Sequence, residues 1–95
     1  MDENALIERF TTDGSDKVWI YDAEPNEIDD DHEHDYDTTL AILKGDIQIV
    51  LAYGDSILNI KYLPGSEIEI PRNTLHAAKV GPEGCRYVVA EKHYT

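Results

Sequence analysis

Cationic side chains are scarce in this sequence: 8 Lys and Arg stand against 20 Asp and Glu, for a formal net charge of -12. A protein that grips phosphate backbones needs cations to displace counterions, so nucleic acid is not an expected partner. Cysteine is nearly absent. With Cys85 alone, no intrachain disulfide can brace the chain. Long apolar runs are missing too. None approaches the roughly 20 residues of a membrane span, and no basic-then-apolar segment opens the sequence. No membrane partner is expected, and a cytoplasmic protein is.

What is present suits a small globular domain. The 95 residues leave room for one domain, with residues 1–15 read as an N-terminal arm. Hydrophobic residues make up 41%, too many and too evenly patterned for a disordered chain. A chain this short buries only about 60–65% of its unfolded surface, so a homodimer is the expected assembly.

The charge is lopsided. Residues 1–47 hold fifteen acidic and three basic side chains, whereas residues 48–95 hold five of each. Nine carboxylates lie between Asp22 and Asp37 with no Lys or Arg among them. Folded together they repel one another, so the segment faces water or has a cation nearby. Asp29, Asp30 and Asp31 read as a solvated loop, and the histidines beside them as metal ligands.

Short strands dominate the pattern. Asp2 to Phe10 suits one or two helical turns, with Leu6 and Phe10 on one side, stable only when docked on a larger surface. Lys17 to Tyr21 reads as a strand of β-branched and aromatic residues. From residue 38 onward, apolar and polar residues alternate with the two-residue period of strands: Ile47, Ile49, Leu51 and Tyr53, then Leu58, Ile60 and Tyr62, then Ile68 and Ile70. Turns are expected at Lys44-Gly45-Asp46, Gly54-Asp55, Pro64-Gly65 and Gly81-Pro82-Glu83-Gly84. Cys85, Tyr87 and Val89 share one face of the last strand. Seven or eight strands with no long helix make an all-β sandwich or small barrel.

The chemistry gathers on histidines. In an extended backbone His32 and His34 project to the same face. Imidazole is the commonest metal-binding side chain and is neutral near pH 7. Two such groups on one strand hold an ion only with help from elsewhere, and His76 is the candidate third ligand.

These residues fall in a larger pattern. Asn26, His32, His34, Thr38 and Gly45 follow the spacing Gly-x5-His-x-His-x3-Glu-x6-Gly, and Gly65, Pro71, Asn73, His76 and Val80 follow Gly-x5-Pro-x-Gly-x2-His-x3-Asn. In this the sequence resembles the small single-domain cupins over residues 26–80. The resemblance implies a double-stranded β-helix, or jelly-roll barrel, holding one divalent transition metal ion. Asn26 and Asn73 replace glycines, and Asn is the residue that best tolerates left-handed backbone after Gly. Thr38 stands where the family has a glutamate ligand and brings no carboxylate. Asp37 is adjacent and reaches the ion only if a β-bulge turns it inward. A three-histidine site with open positions is the simpler expectation. Three imidazoles suit zinc, iron, nickel or copper, and the resemblance adds manganese.

Gln48, Tyr53, Tyr62, Tyr87 and Arg72 are candidate pocket-lining residues, able to orient a small ligand by amide, hydroxyl or guanidinium. Trp19 reads as an interface residue, Arg86 and Lys92 as solvent-facing cations, and Cys85 as inward and inert. His93 is read as separate from the site. No residue stands out as a general base. The expected function is a metal-dependent enzyme of the dioxygenase or isomerase type acting on a small polar organic molecule. The alternative is a non-catalytic module that binds a small ligand or metal, and the resemblance covers both classes.

Overall fold

The computed structural model describes residues 2–94. Asp2 accepts a hydrogen bond from the backbone N–H of Asn4 at 3.0 Å and caps helix α1, Glu3–Thr12. Six strands follow: β1 Lys17–Ala23, β2 Ile28–His32, β3 Asp37–Tyr53, β4 Ser56–Tyr62, β5 Glu67–Ile70 and β6 His76–Lys92.

Strands β3 and β6 run antiparallel along almost their whole length, and each bends once, so that each serves two sheets. One half joins Asp37–Lys44 to Arg86–Lys92, flanked by β1 on the β6 side and β5 on the β3 side. The other joins Ile47–Leu51 to His76–Val80, flanked by β2 and β4. The result is the expected all-β jelly roll. Both bends fall where turns were expected, and the chain passes through them as continuous strand. The register shifts between Ile42 and Lys44 and again between Gly45 and Ile47. Here two backbones nearly touch: a Cβ on Gly45 would lie 2.0 Å from the carbonyl oxygen of Gly84, and Gly45 has φ 78°.

Two apolar clusters follow from the alternation. Between the sheets lie Leu40, Ile42, Ile47, Ile49, Ile68, Ile70, Val80, Cys85, Tyr87 and Val89. On the outer side of the first half, Ala41, Val88 and Ala90 are covered by Leu6 and Phe10 of α1, with Ile7, Val18, Ile20 and Leu43 around them. The amino-terminal segment is thus a docked helix of ten residues. Burying a leucine and a phenylalanine contributes about 1.5–3 kcal/mol each, more than its surface ion pairs do. One of those pairs corrects the expectation for Arg86. Its side chain is half-buried and bridges Glu3 of α1 at 2.7 Å and Asp22 of β1 at 2.6 Å.

The Asn substitutions behave as glycines would. Asn26 has φ 62° and Asn73 φ 59°, alongside Gly45 at 78° and Gly65 at 94°. All four glycine positions of the two motifs therefore lie in the left-handed region that disfavours a β-branched residue.

Candidate metal centre

His32 closes β2 and pairs across the ladder with His76, the first residue of β6. His34 lies beyond β2, in the connection to β3, so the two histidines do not share a strand as the His-x-His spacing suggests. A different contact fixes His34: its carbonyl accepts the backbone N–H of Asn73 at 2.6 Å, from the turn between β5 and β6. The register of β2 also slips between Asp29 and His32.

The three rings converge. Their centroids are 4.2 Å apart for His32 and His76, 4.9 Å for His32 and His34, and 5.1 Å for His34 and His76. One nitrogen of each lies within 4.8 Å of one of each of the others. Imidazole nitrogens bind zinc at about 2.0–2.1 Å, so two of them in a tetrahedral shell are about 3.4 Å apart. The three rings would draw closer together to close on an ion.

The hydrogen bonds prepare two rings for an ion. His32 Nδ1 lies 2.6 Å from the carbonyl of Asp30, and His76 Nδ1 lies 2.8 Å from the carbonyl of Thr74. A carbonyl only accepts, so each Nδ1 carries the proton and each neutral ring offers a lone pair at Nε2. His34 Nδ1 is buried without a hydrogen-bond partner among the described residues. Burial lowers the pKa of His34, and the nearby His76 and His32 lower it further. Burial also lowers that of His76, against the opposing hydrogen bond to Thr74. Neutral imidazole is the form that coordinates metal. The donor set and the unpartnered nitrogen fit a divalent transition ion.

Beside the rings lies a cavity of about 350 Å³. Its walls include Trp19 and Tyr21 of β1, Thr38 and Leu40 of β3, Ile70 of β5, and Tyr87 and Glu91 of β6. Thr38 is buried, and its hydroxyl has no hydrogen-bond partner among the described residues. Asp37 does not join the histidines: one oxygen accepts the backbone N–H of Arg72 at 2.8 Å and the other the hydroxyl of Tyr94. These bonds, the Tyr94 one foremost, hold its carboxyl below the usual range.

Of the five expected lining residues, Tyr87 lies in the cavity wall, where burial raises its phenol pKa. The other four lie elsewhere. Gln48 points outward and donates to Asn59 at 2.7 Å, because alternation along β3 puts Ile47 and Ile49 inside instead. Tyr53 is exposed beside the β3–β4 turn, Tyr62 packs at the margin of the inner core, and Arg72 stacks on Tyr94 at 4.4 Å. Cys85 is buried, and desolvation pushes its thiol up to about 11, which leaves it protonated and inert.

Among the polar and aromatic residues of the wall, sequence reasoning passed over five: Trp19, Tyr21, Glu27, Asp29 and Glu91. For Glu91 the signal was there, since it continues the Cys85, Tyr87, Val89 alternation by one step. His93 was also placed too far away. Its ring stacks on Tyr36 at 4.3 Å, and Tyr36 stacks on His34 at 4.6 Å.

No protein-family model and no curated protein matches the sequence. Solved structures do match in fold. A Drosophila melanogaster CENP-C cupin domain aligns with TM-score 0.73 and 11% identity, over 81% of this chain and 57% of that one. An oxalate decarboxylase variant of Bacillus subtilis aligns with TM-score 0.74 and 13% identity, over 80% of this chain and 20% of that one. The WlaRB TDP-quinovose 3,4-ketoisomerase of Campylobacter jejuni aligns with TM-score 0.72 and 19% identity, over 84% of this chain and 64% of that one. This chain therefore spans less than two thirds of the length of each. Among the described residues no helix is long and apolar enough to cross a membrane. The chain is a small domain with the cupin fold.

Proposed function

We propose that this domain binds one divalent transition metal ion through His32, His34 and His76 and uses it as an enzyme on a small polar organic molecule, in the manner of an isomerase or dioxygenase. The observation that carries this reading is the convergence of the three imidazoles, two with Nδ1 bonded to main-chain carbonyls, at the wall of a cavity of about 350 Å³. A bound ion supplies Lewis-acid polarisation of substrate oxygens, or redox chemistry if it is iron, copper or manganese. The chain's own groups do the rest. Trp19, Tyr21 and Tyr87 offer flat apolar faces that hold a small molecule and exclude water. Thr38 offers a hydroxyl without a competing partner. Glu27, Asp29 and Glu91 are carboxylates in the wall, and no Lys or Arg is among its described residues, which favours a neutral or cationic ligand over an anion.

The catalytic reading is supported by the open cavity beside the imidazoles, since a storage or structural site closes its coordination shell. Among the fold's relatives, an oxalate decarboxylase has Mn(II) centres and a CENP-C structure is bound to CAL1, so the fold alone does not separate catalysis from binding.

A homodimer and a cytoplasmic location belong to the same proposal. Support for the dimer comes from β4, which ends the strand order and exposes Ile57, Leu58 and Ile60. Light scattering that gives twice the chain mass supports it, and the monomer mass opposes it. The free, buried Cys85 agrees with a reducing compartment.

The test of the metal site is elemental analysis of protein purified without an affinity tag, beside His34→Ala. Near-stoichiometric metal that disappears in the variant supports the reading, and equal metal in both opposes it.

A further inference from the structure

A divalent ion among three neutral imidazoles brings two positive charges into a mostly apolar cavity, and a nearby carboxylate offsets them at little cost if it is already held in place. Three carboxylates line the wall. Glu27 is held as well, by the Tyr21 hydroxyl at 2.8 Å and the backbone N–H of Glu24 at 3.1 Å, but it sits in the β1–β2 turn, off the β3–β6 ladder that carries Thr38. Asp29 is exposed. Glu91 differs from both. Its side chain is 13% exposed, it sits on the inner face of β6, and it pairs directly across the ladder with Thr38. It therefore stands beside the one buried hydroxyl in the wall that has no partner among the described residues.

Glu91 is also held in position. His93 Nε2 lies 2.8 Å from its Oε1. His93 stacks on Tyr36, which stacks on His34, so a continuous set of rings connects the carboxylate's partner to a proposed ligand.

We propose that Glu91, which lies outside the three-histidine group itself, is the carboxylate that supports the metal centre, supplying from β6 the negative charge that Thr38 does not supply from β3. The inference rests on the proposed three-histidine site. It assigns Glu91 the task of raising affinity for the ion, and makes His93 and Tyr36 the residues that position it.

The experiment is a competition titration of Mn²⁺ or Zn²⁺ against a chromophoric chelator, on the full chain, for wild type, Glu91→Gln, Glu91→Asp and Glu27→Gln. Glu91→Gln is expected to weaken binding roughly 10–100-fold, the usual effect of removing a supporting group around a metal. Glu91→Asp keeps the charge and is expected to lose less, and it provides the readout if the Gln variant does not fold. Glu27→Gln removes the same formal charge from the same cavity and is expected to change affinity less than threefold. Equal affinity of wild type and both Glu91 variants overturns the inference while leaving the histidine site standing. A loss in Glu27→Gln as large as that in Glu91→Gln overturns it as well, since the effect is then the cavity's general field. Absence of binding by wild type overturns the histidine site itself, and the Glu91 assignment with it.

Discussion

The backbone N–H of Asn73 donates to the carbonyl of His34 at 2.6 Å, tying the turn that precedes one proposed ligand, His76, to the backbone of another. Asn73 makes that bond from a left-handed conformation, φ 59°. Two segments nearly forty residues apart in sequence are thus fixed against each other by one residue's backbone geometry.

Asn73→Gly is expected to keep both the bond and the stability, within about 0.5 kcal/mol. Asn73→Val forces a β-branched residue into the left-handed region and is expected to cost about 1–2 kcal/mol. It should also weaken metal binding through His34. Urea denaturation and a metal titration on both variants check this. Equal behaviour of Gly and Val would contradict it.

Gly45 provides a sharper contrast. Gly45→Ala drives a Cβ against the carbonyl of Gly84, where the two long strands bend together, and is expected to cost more than about 3 kcal/mol or to prevent folding. Gly54→Ala has the same sign of φ but nothing within 4 Å of the added atom, and is expected to cost about 1 kcal/mol. Thermal unfolding of the two variants separates crowding from backbone strain.

Asp37 gives a pH dependence of defined sign. Its carboxyl is held below the ordinary value by Tyr94 and the backbone N–H of Arg72, so the unfolded chain takes up its proton first. The stabilisation is complete above the ordinary aspartate value, near pH 4, and is lost as the pH falls through the lowered one. Acid also relieves repulsion within a chain of net charge -12, so the informative quantity is the difference between wild type and Asp37→Asn. That difference in denaturation midpoint is expected to be full above about pH 4 and to shrink as the pH falls below it, modestly because the site is partly open to water. A constant difference opposes this role for Asp37.

Chelation tests the acidic segment. Residues 27–37 carry His32 and His34 and a run of mutually repelling carboxylates, and only part of the segment is paired in β2. Removing the ion is expected to raise amide hydrogen exchange there while β3 and β6 stay protected. Identical exchange with and without metal contradicts coupling between the segment and the ion.

Much of the architecture was legible because alternation survives in this chain. Ile68 and Ile70 point inward as the pattern Glu-Ile-Glu-Ile requires, and Leu6 and Phe10 dock as their four-residue spacing suggests. The long bent strands were not legible, since Lys44-Gly45-Asp46 and Gly81–Gly84 carry the composition of turns and only tertiary pairing keeps them extended. Gln48 shows the limit of guessing a wall by residue type. Its polarity suggested ligand contact, while its parity with Val50 and Ala52 puts it on the outer face. His93 and Glu91 were obscured for another reason: their place beside Tyr36 and Thr38 depends on a register set by β3 and β6, which no local pattern states.

The most direct measurement is the X-ray absorption spectrum of the metal-loaded, tag-free protein. The account predicts imidazole multiple-scattering from about three nitrogen ligands near 2.0–2.1 Å, reduced in His76→Ala. A shell of oxygen ligands alone, unchanged by that substitution, would mean that the acidic surface collects the ion and that the three rings do not.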